Sequence, residues 1–596
     1  MPAEAEPRSS ERVLRFTALA VVLGSAVIFP FVTLPSADQP DILPKLVFAK
    51  GEVVLLAVLW ISRGLLRGRL TIRRTPLDIA LLTFVLSAVI ATVVSFAPIL
   101  SLYGTYTRWE GLATIVTYVA LYWIIVQTLE RASHGRALMV ALVVGGCIEA
   151  SLATVWALMD TLHGTGLDAE SANSFGGLAR AVGTMANANN LAVYLAMLLP
   201  LAVGEAVHAA QSSHRIAAIN ACVLLGLGLA LTFGRGAWLG AGVGVVVVLT
   251  PLLRRMFASR KRTVITLVAA GAMVIALVAL GTLVPARGGI VGAVGQRIGS
   301  LASPASGSGG TRLGFWGDTL HLVAAHPVAG WGLDTFGNVF PRYETTDWTP
   351  GSITDKAHSD LLQVAASQGL LGVAAYLSVI AVVLICAWRA RRRPHALAYA
   401  GAFVAFEVGI QLNFSWIPVT VPFFMFLAGT MASWDRVRAV SIPLRLPRSL
   451  QLVVIGAVAS GAATALIPLA IHPVLANIRY ADAQVARANG DINGARVAIA
   501  DARSLDPTEA EYAVLQGDIA FQPDGESAAA IDWSLAKNAY TTAANEGCIY
   551  SDMYANLATV EMHLGDKPGA LQAARTAAAL SPFDSGMTQL VHDLGG

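Results

Sequence analysis

The chain has 596 residues and a mass of 62.3 kDa; 55% of the residues are hydrophobic, only 13% are charged, and the mean hydropathy is +0.62. An ordinary soluble protein carries roughly 25% charged residues, so this composition excludes a soluble enzyme, a disordered chain and a fibrous repeat, and implies a polytopic membrane protein. The net charge of +3 hides a division: residues 1–472 hold 34 Lys/Arg and 22 Asp/Glu, residues 473–596 hold 7 and 16. Neither part suits nucleic acid, since the basic part places its charge beside apolar runs and the acidic part repels phosphate.

Thirteen runs are long and apolar enough to span a bilayer, near 13–34, 45–62, 77–97, 111–129, 136–160, 188–207, 215–234, 236–253, 263–284, 367–388, 395–413, 418–434 and 450–470. The first is too long for a removed signal peptide and lacks a small-residue cleavage site. The basic residues fall on alternate connections: Arg8, Arg12 and Arg15; Arg63 to Arg74; Arg131 and Arg136; Arg215; Arg254 to Arg262; Arg389 to Arg393; and Arg436 to Arg448. The positive-inside rule puts these ends in the cytoplasm and the C-terminus outside. If 450–470 were a buried helix instead of a span, the C-terminal part would lie inside.

The expected fold is an all-α polytopic helical bundle of about 12–13 spans, residues 1–472, followed by a helical domain over 473–596. Two long segments, 161–187 and 285–366, face outward, and loops of that length are usually functional. The second includes a Gly/Ser stretch, Ser303–Gly310, a helix-like run from Arg312 to Ala325, and the turn-rich Pro327–Gly332. The C-terminal domain is Ala-rich. Gly490-Asp491 with Ala495 and Asp506-Pro507 superposes without a gap on Gly565-Asp566 with Ala570 and Ser581-Pro582. That pattern resembles the second half of a tetratricopeptide repeat, with space for a degenerate repeat around Glu526–Asn545. It reads either as a platform for a protein or glycan partner or as a helical cap.

Outward-facing arginines at span ends either snorkel to lipid phosphate or bind an anionic substrate. Arg235 stands in Thr232-Phe-Gly-Arg-Gly-Ala-Trp238, where flanking glycines let backbone and guanidinium approach a ligand. Arg180 precedes Gly183 and the run Asn187, Asn189 and Asn190, which either cap the next helix or bind a sugar. Arg312 opens a helix with Trp316 one turn later. Arg108 lies in Tyr103-Gly-Thr-Tyr-Thr-Arg-Trp-Glu110, whose aromatics form either an interfacial belt or a stacking surface. His358, in Lys356-Ala-His-Ser-Asp360, precedes a long apolar helix that Ser359 or Asp360 is placed to cap. It is either structural or a general base. His163, His321 and His326 also lie on the outer side. No DxD-like pair, HExxH, P-loop or GxSxG is present, and four scattered Cys give neither a zinc site nor a disulfide framework.

These residues resemble the O-antigen ligase and O-antigen polymerase superfamily. The resemblance rests on His358-Ser359 with Gly369 and Gly372, on Arg312-Leu-Gly-Phe-Trp316 followed by His326–Gly332 and Phe336, on Phe233–Leu239 around Arg235, and on Arg180–Gly183 with Asn189-Asn190. All occur in the family's order, over roughly residues 100–435. The thirteenth span and the external repeat domain depart from the ligase pattern.

The resemblance implies an inverting, metal-independent glycosyltransferase of the bacterial inner membrane, with a glycan on undecaprenyl diphosphate as donor. The acceptor would be a glycan, lipid or protein, and no cofactor is expected. It implies Arg180, Arg235 and His358 as catalytic residues, and Arg312, Arg108, Asn189, Asn190 and Trp316 as substrate-binding residues. Alternatives are a repeat-unit polymerase, a polyprenyl-linked glycan transporter and a scaffold.

Overall fold

The computed structural model describes residues 9–163, 174–175, 178–257, 308–348, 354–393, 395–434, 437–444, 446–521, 531–548 and 550–596. The expected span near 263–284 and parts of both long outer segments lie outside the described residues. The fold is all-α. Each of the other twelve apolar runs coincides with a helix: α1 (Ser9–Ile28), α2 (Leu43–Arg67), α3 (Leu77–Val93), then, after the short α4 (Pro98–Tyr103), α5 (Leu112–Thr128), α6 (Ala132–His163), α7 (Ala188–His208), α8 (Ser212–Leu231) and α9 (Arg235–Phe257). After the long α10 (Ser308–Ala325) and the short α11 (Phe336–Val339) come α12 (Asp360–Ala390), α13 (Ala396–Gln411), α14 (Ile417–Ser433) and α15 (Arg448–Leu466).

Seven described helices are both long and apolar enough to cross a membrane, and α3, α5, α13 and α14 are shorter apolar helices. Helix α2 carries charges, and two of them, Lys45 and Glu52, find hydrogen-bond partners inside the bundle, as charges at membrane depth require. Lys45 Nζ donates to the carbonyls of Val32 and Thr184 at 3.0 and 2.6 Å, and Ser25 donates to Glu52 at 2.6 Å.

The helices pack closely because small residues face each other. Helix α9 lies on α13, where Gly244 and Gly401 meet so tightly that a Cβ on either would fall 2.4 Å from the other's carbonyl oxygen. In a bilayer, with no water to expel, such close backbone approach is the main source of helix–helix attraction. Helix α14 is buried along nearly its whole length, between α5 and α6.

One feature was not expected. Two basic loops pair as a two-stranded antiparallel ribbon, Arg69–Arg74 with Arg438–Pro443, in register Arg69 opposite Pro443 and Arg74 opposite Arg438. A second, shorter pair joins Ser174–Phe175 to Leu178–Ala179.

Helix α15 has no buried residue and lies on the outside of the bundle against α2. It is therefore not a helix buried in the bundle, and it is long and apolar enough to cross a membrane. It continues through a π-helical turn, Ile467–Ile471, into α16 (His472–Ala488). The C-terminal helices then pack in sequential pairs, α16 on α17 (Ile492–Leu505), α18 (Ala510–Phe521) on α19 (Trp533–Asn545) and α20 (Ser551–His563) on α21 (Lys567–Leu580), closed by α22 (Ser585–Asp593). Ala495 and Ala570, the small residues of the superposed segments, are both fully buried. Asp491 and Asp566 cap their helices by accepting from the backbone N–H of Gly494 and Gly569.

These helices dock on the end of the bundle that carries His358. Tyr106 meets Tyr480 and Tyr512 with ring centroids 5.5 and 5.9 Å apart. Asn477 donates to the Tyr106 hydroxyl at 2.7 Å, and Asn338 to the Gly547 carbonyl at 3.1 Å.

Candidate functional site

Helix α8 ends at Leu231 and α9 begins at Arg235, so only three residues make the turn. Phe233 takes the left-handed conformation there, with φ +52°. The flanking glycines serve helix packing: a Cβ on Gly234 would stand 2.8 Å from that of Ala192, and one on Gly236 2.7 Å from that of Leu412. Arg235 thus occupies the first turn of α9, whose unpaired N–H groups and dipole favour an anion.

Arg235 lines a small cleft of about 60 Å3 together with Arg312, Asn189 and Asn413. Arg312 is held by its Nη1 donating to the Leu412 carbonyl at 2.8 Å. Burial and then the neighbouring Arg235 charge depress its pKa. Two guanidiniums facing one cleft repel each other, and an anion between them relieves that repulsion. Arg180 stands one link behind: its Nε donates to the Thr232 carbonyl and its Nη2 to Asn189 Oδ1, both at 2.8 Å. Burial pushes its pKa down to about 10.

Of the three asparagines, Asn187 caps α7 by accepting from the Asn190 N–H at 2.8 Å. Asn189 reaches the cleft. Asn190 is 0% exposed and donates to the Met185 carbonyl at 3.1 Å, so it faces the core and not the cleft. Asn413, which sequence reasoning missed, is buried with its amide nitrogen unpaired at the cleft wall.

His358 lies within electrostatic reach of Arg312, Asp355 and Arg108. Its ring lies 5.5 Å from that of Phe414 and 6.0 Å from that of Phe315. Burial, and then the Arg312 charge, push its pKa down to about 4, so the imidazole is neutral at physiological pH. Its Nδ1 is buried with no hydrogen-bond partner. The backbone there is strained, with φ +51°, a conformation a non-glycine residue keeps only when its surroundings enforce it. The enforcing contacts are visible. Trp316 donates to the Ala357 carbonyl at 3.0 Å, and Gln363 accepts the Ala357 N–H at 2.8 Å.

Neither Ser359 nor Asp360 caps α12 with its side chain. Gln411 of α13 accepts the Leu361 N–H at 3.1 Å and the Ser359 hydroxyl at 3.2 Å. Asp360 instead accepts the Ser415 N–H at 2.6 Å. The glycine spacing after His358 also has a structural cause. Gly369 interrupts α12 with φ +63°, and a Cβ there would lie 2.4 Å from the Val328 carbonyl. The freed backbone pairs with the turn-rich segment, Leu370 N–H to Pro327 at 2.8 Å and Trp331 N–H to Ala366 at 3.0 Å.

Arg108 binds Asp355 through two nitrogens, at 2.5 and 3.1 Å, and lies 4.5 Å from the centre of the Trp416 ring. Burial opposes its charge, but Asp355 outweighs burial and raises its pKa. Beneath it Lys356, 2% exposed, donates to Glu110 at 2.6 Å and Asp334 at 2.7 Å. Asp334 also accepts from the N–H and hydroxyl of Thr105 at 2.8 and 2.9 Å. Burial raises the Glu110 pKa to about 7 against the pull of Lys356, whereas Lys356 overcomes burial at Asp334 and lowers it.

Sequence reasoning missed this triad. The available signal was that Lys356, like Arg108, is a basic residue on the side the positive-inside pattern leaves poor in them. His163 and His321 are exposed, and His326 lies on Trp331 at 3.8 Å between centroids. None of His321, His326 and His358 lines the cleft itself; His358 is the one within electrostatic reach of Arg312, a lining residue.

The fold and this site define a multi-pass membrane protein with a cationic cleft at one end of its bundle and a neutral histidine beside it. Residues 221–377, which include Arg235, Arg312, Trp316 and His358, match the family model described as O-antigen ligase, and over that segment the chain is similar to the O-antigen ligase superfamily. No curated protein matches the chain.

Proposed function

We propose that the chain is a glycosyltransferase that moves a glycan from undecaprenyl diphosphate to an acceptor hydroxyl at the outer face of the bacterial inner membrane. The observation that carries this reading is the pairing of two guanidiniums, Arg235 and Arg312, across one cleft next to a neutral imidazole with an unpaired nitrogen. As the glycosidic bond breaks, charge grows on the diphosphate oxygens. Preorganised guanidiniums stabilise that charge and supply what a divalent ion would otherwise supply. His358 takes the proton of the attacking hydroxyl. Attack opposite the departing diphosphate inverts the anomeric centre. Arg180 orients Asn189 at the cleft, and Arg108 with Trp316 holds the His358 segment in place.

In this reading residues 1–472 form the membrane domain and 473–596 a helical repeat domain on the outer side. The docking of Tyr480 and Tyr512 on Tyr106, at the end opposite the basic loops, supports that placement. A transporter of the same lipid would need the arginines but no base, so the unpaired His358 favours the enzyme. The test is incubation of purified protein with a lipid-diphosphate glycan and candidate acceptors. Undecaprenyl diphosphate should appear with product, and a chelator should not stop it. Binding of the donor with no release in the presence of any acceptor would favour the transporter.

A further inference from the structure

A second cavity, far larger than the arginine cleft, lies where the C-terminal helices meet the bundle. It measures about 560 Å3, within the range that encloses a small organic ligand. Its lower part is apolar and follows the membrane helices, from Leu43 to Val54 on α2 and from Ala113 to Ala120 on α5. At about 1.5 Å per residue these stretches are roughly 16 and 10 Å long, so the cavity descends well into the depth of the bilayer. Its upper part is roofed by two turns of the C-terminal domain that bring Asp506, Glu509, Glu511 and Glu546 to the lining. Lys50 and His472 also line the cavity, and Lys50 points its Nζ to the Leu469 carbonyl at 3.4 Å.

Two of these carboxylates await a donor. Oε2 of Glu511 and Oε2 of Glu546 are buried with no hydrogen-bond partner. Tyr480 donates at 2.9 Å to the other oxygen of Glu511. Burial raises the Glu511 pKa against the Tyr480 and Tyr550 phenols, of which Tyr550 lies outside hydrogen-bond geometry. A buried acceptor without a donor costs about 1–3 kcal/mol, so the roof is complete only with a ligand that donates. Burial raises the pKa of Glu509 and Glu511 and takes that of Glu546 to about 7, so this roof pairs with sugar hydroxyls in either protonation state, as acceptor or as donor, and it offers a phosphate or diphosphate head no basic group beyond Lys50 and His472. The long apolar floor demands a chain.

We infer that this cavity binds a membrane amphiphile with an apolar chain and an uncharged, hydroxyl-rich head, an alkyl or acyl glycoside in chemical class. That this ligand is the acceptor rests on the transferase reading. The geometry suits it, because one loop forms the wall between the two sites: Tyr106 and Trp109 line the cavity, while Arg108 between them reaches Asp355 beside His358.

The test uses the full chain in phosphatidylcholine nanodiscs with two photoreactive probes of the same chain length, an alkyl glucoside and an alkyl phosphate. The glucoside should label α2, α5 and the 505–511 turn, and the phosphate about tenfold less. Ala113→Trp should abolish glucoside labelling by filling the floor, and Glu546→Lys should lower it about tenfold and raise that of the phosphate. An unchanged thermal transition shows that each variant is folded. Equal labelling by both probes, labelling by the phosphate alone, labelling elsewhere, or labelling indifferent to Ala113→Trp overturns the inference. Release of undecaprenyl diphosphate is followed in parallel. Selective labelling without release upholds the site and removes the transferase reading, whereas release without cavity labelling removes the site alone.

Discussion

Lys356 and His358 stand two residues apart and meet opposite environments. The Lys356 ammonium is locked between Glu110 and Asp334, 2.6 and 2.7 Å away, while the His358 imidazole, one peptide beyond Ala357, keeps an unpaired nitrogen. The ion triad fixes the chain from which the histidine projects, so the rigidity of one residue serves the availability of the other.

Arg235→Ala should abolish transfer while leaving the protein folded and membrane-inserted. The lost charge-assisted bond is worth about 1.5–3 kcal/mol in binding alone. Arg235→Lys should restore little, because an ammonium cannot present the planar donor fork. The measurement is release of undecaprenyl diphosphate at equal protein level, and full activity of both variants would reduce Arg235 to a lipid anchor.

His358→Ala should bind lipid-linked donor nearly as the native protein does and lose roughly 10²–10⁴-fold in rate. His321→Ala and His326→Ala should retain the rate. Isothermal binding beside single-turnover kinetics separates the two quantities.

The pH profile follows from the depressed imidazole. With its pKa pushed down to about 4, His358 is neutral, and competent as a base, at every pH above that value. The acid limb of the donor-free enzyme should therefore lie well below the ordinary histidine range. Arg312→Gln removes one of the charges that depress it, so the limb should move to higher pH. An occupied cleft should act in the same direction, because bound diphosphate offsets Arg312. A pH–rate series for both proteins checks the shift, and a limb unmoved by Arg312→Gln would detach the two residues.

Lys356→Met should destabilise the protein by about 3–5 kcal/mol, since it leaves two carboxylates buried without their cation. Adding Glu110→Gln and Asp334→Asn to that variant should recover part of the loss. Thermal unfolding in detergent measures both.

An alkaline phosphatase fused after Gly596 should be active, and a cytoplasm-only reporter silent, if the C-terminal helices lie outside.

Twelve of the thirteen runs were legible as helices because each stays apolar over at least about four helical turns, and the arginine turn because Gly-Arg-Gly is conspicuous between two such runs. Helix α10 was legible in part. It begins at Ser308, inside a Gly/Ser stretch whose low helix propensity points to a loop. The Lys356 triad was hidden because its members are distant in sequence, and each alone reads as an ordinary loop charge. The ribbon of Arg69–Arg74 with Arg438–Pro443 was hidden for a similar reason: strand pairing across that separation leaves no local period, and basic residues mask its alternation. Asn190 misled because three asparagines in four residues look equivalent, whereas helix periodicity turns only Asn189 toward the cleft.

The uninterrupted rod from α15 through the π-helical turn to α16 ties bilayer thickness to enzyme geometry. Its second half carries Tyr480, which touches Tyr106 at the lining of the larger cavity. Its first half has no buried residue, so in a bilayer lipid sets its depth and tilt. On the transferase reading, a thicker or thinner membrane reaches the larger cavity through a mechanical lever that passes the π-helical turn at Ile467–Ile471.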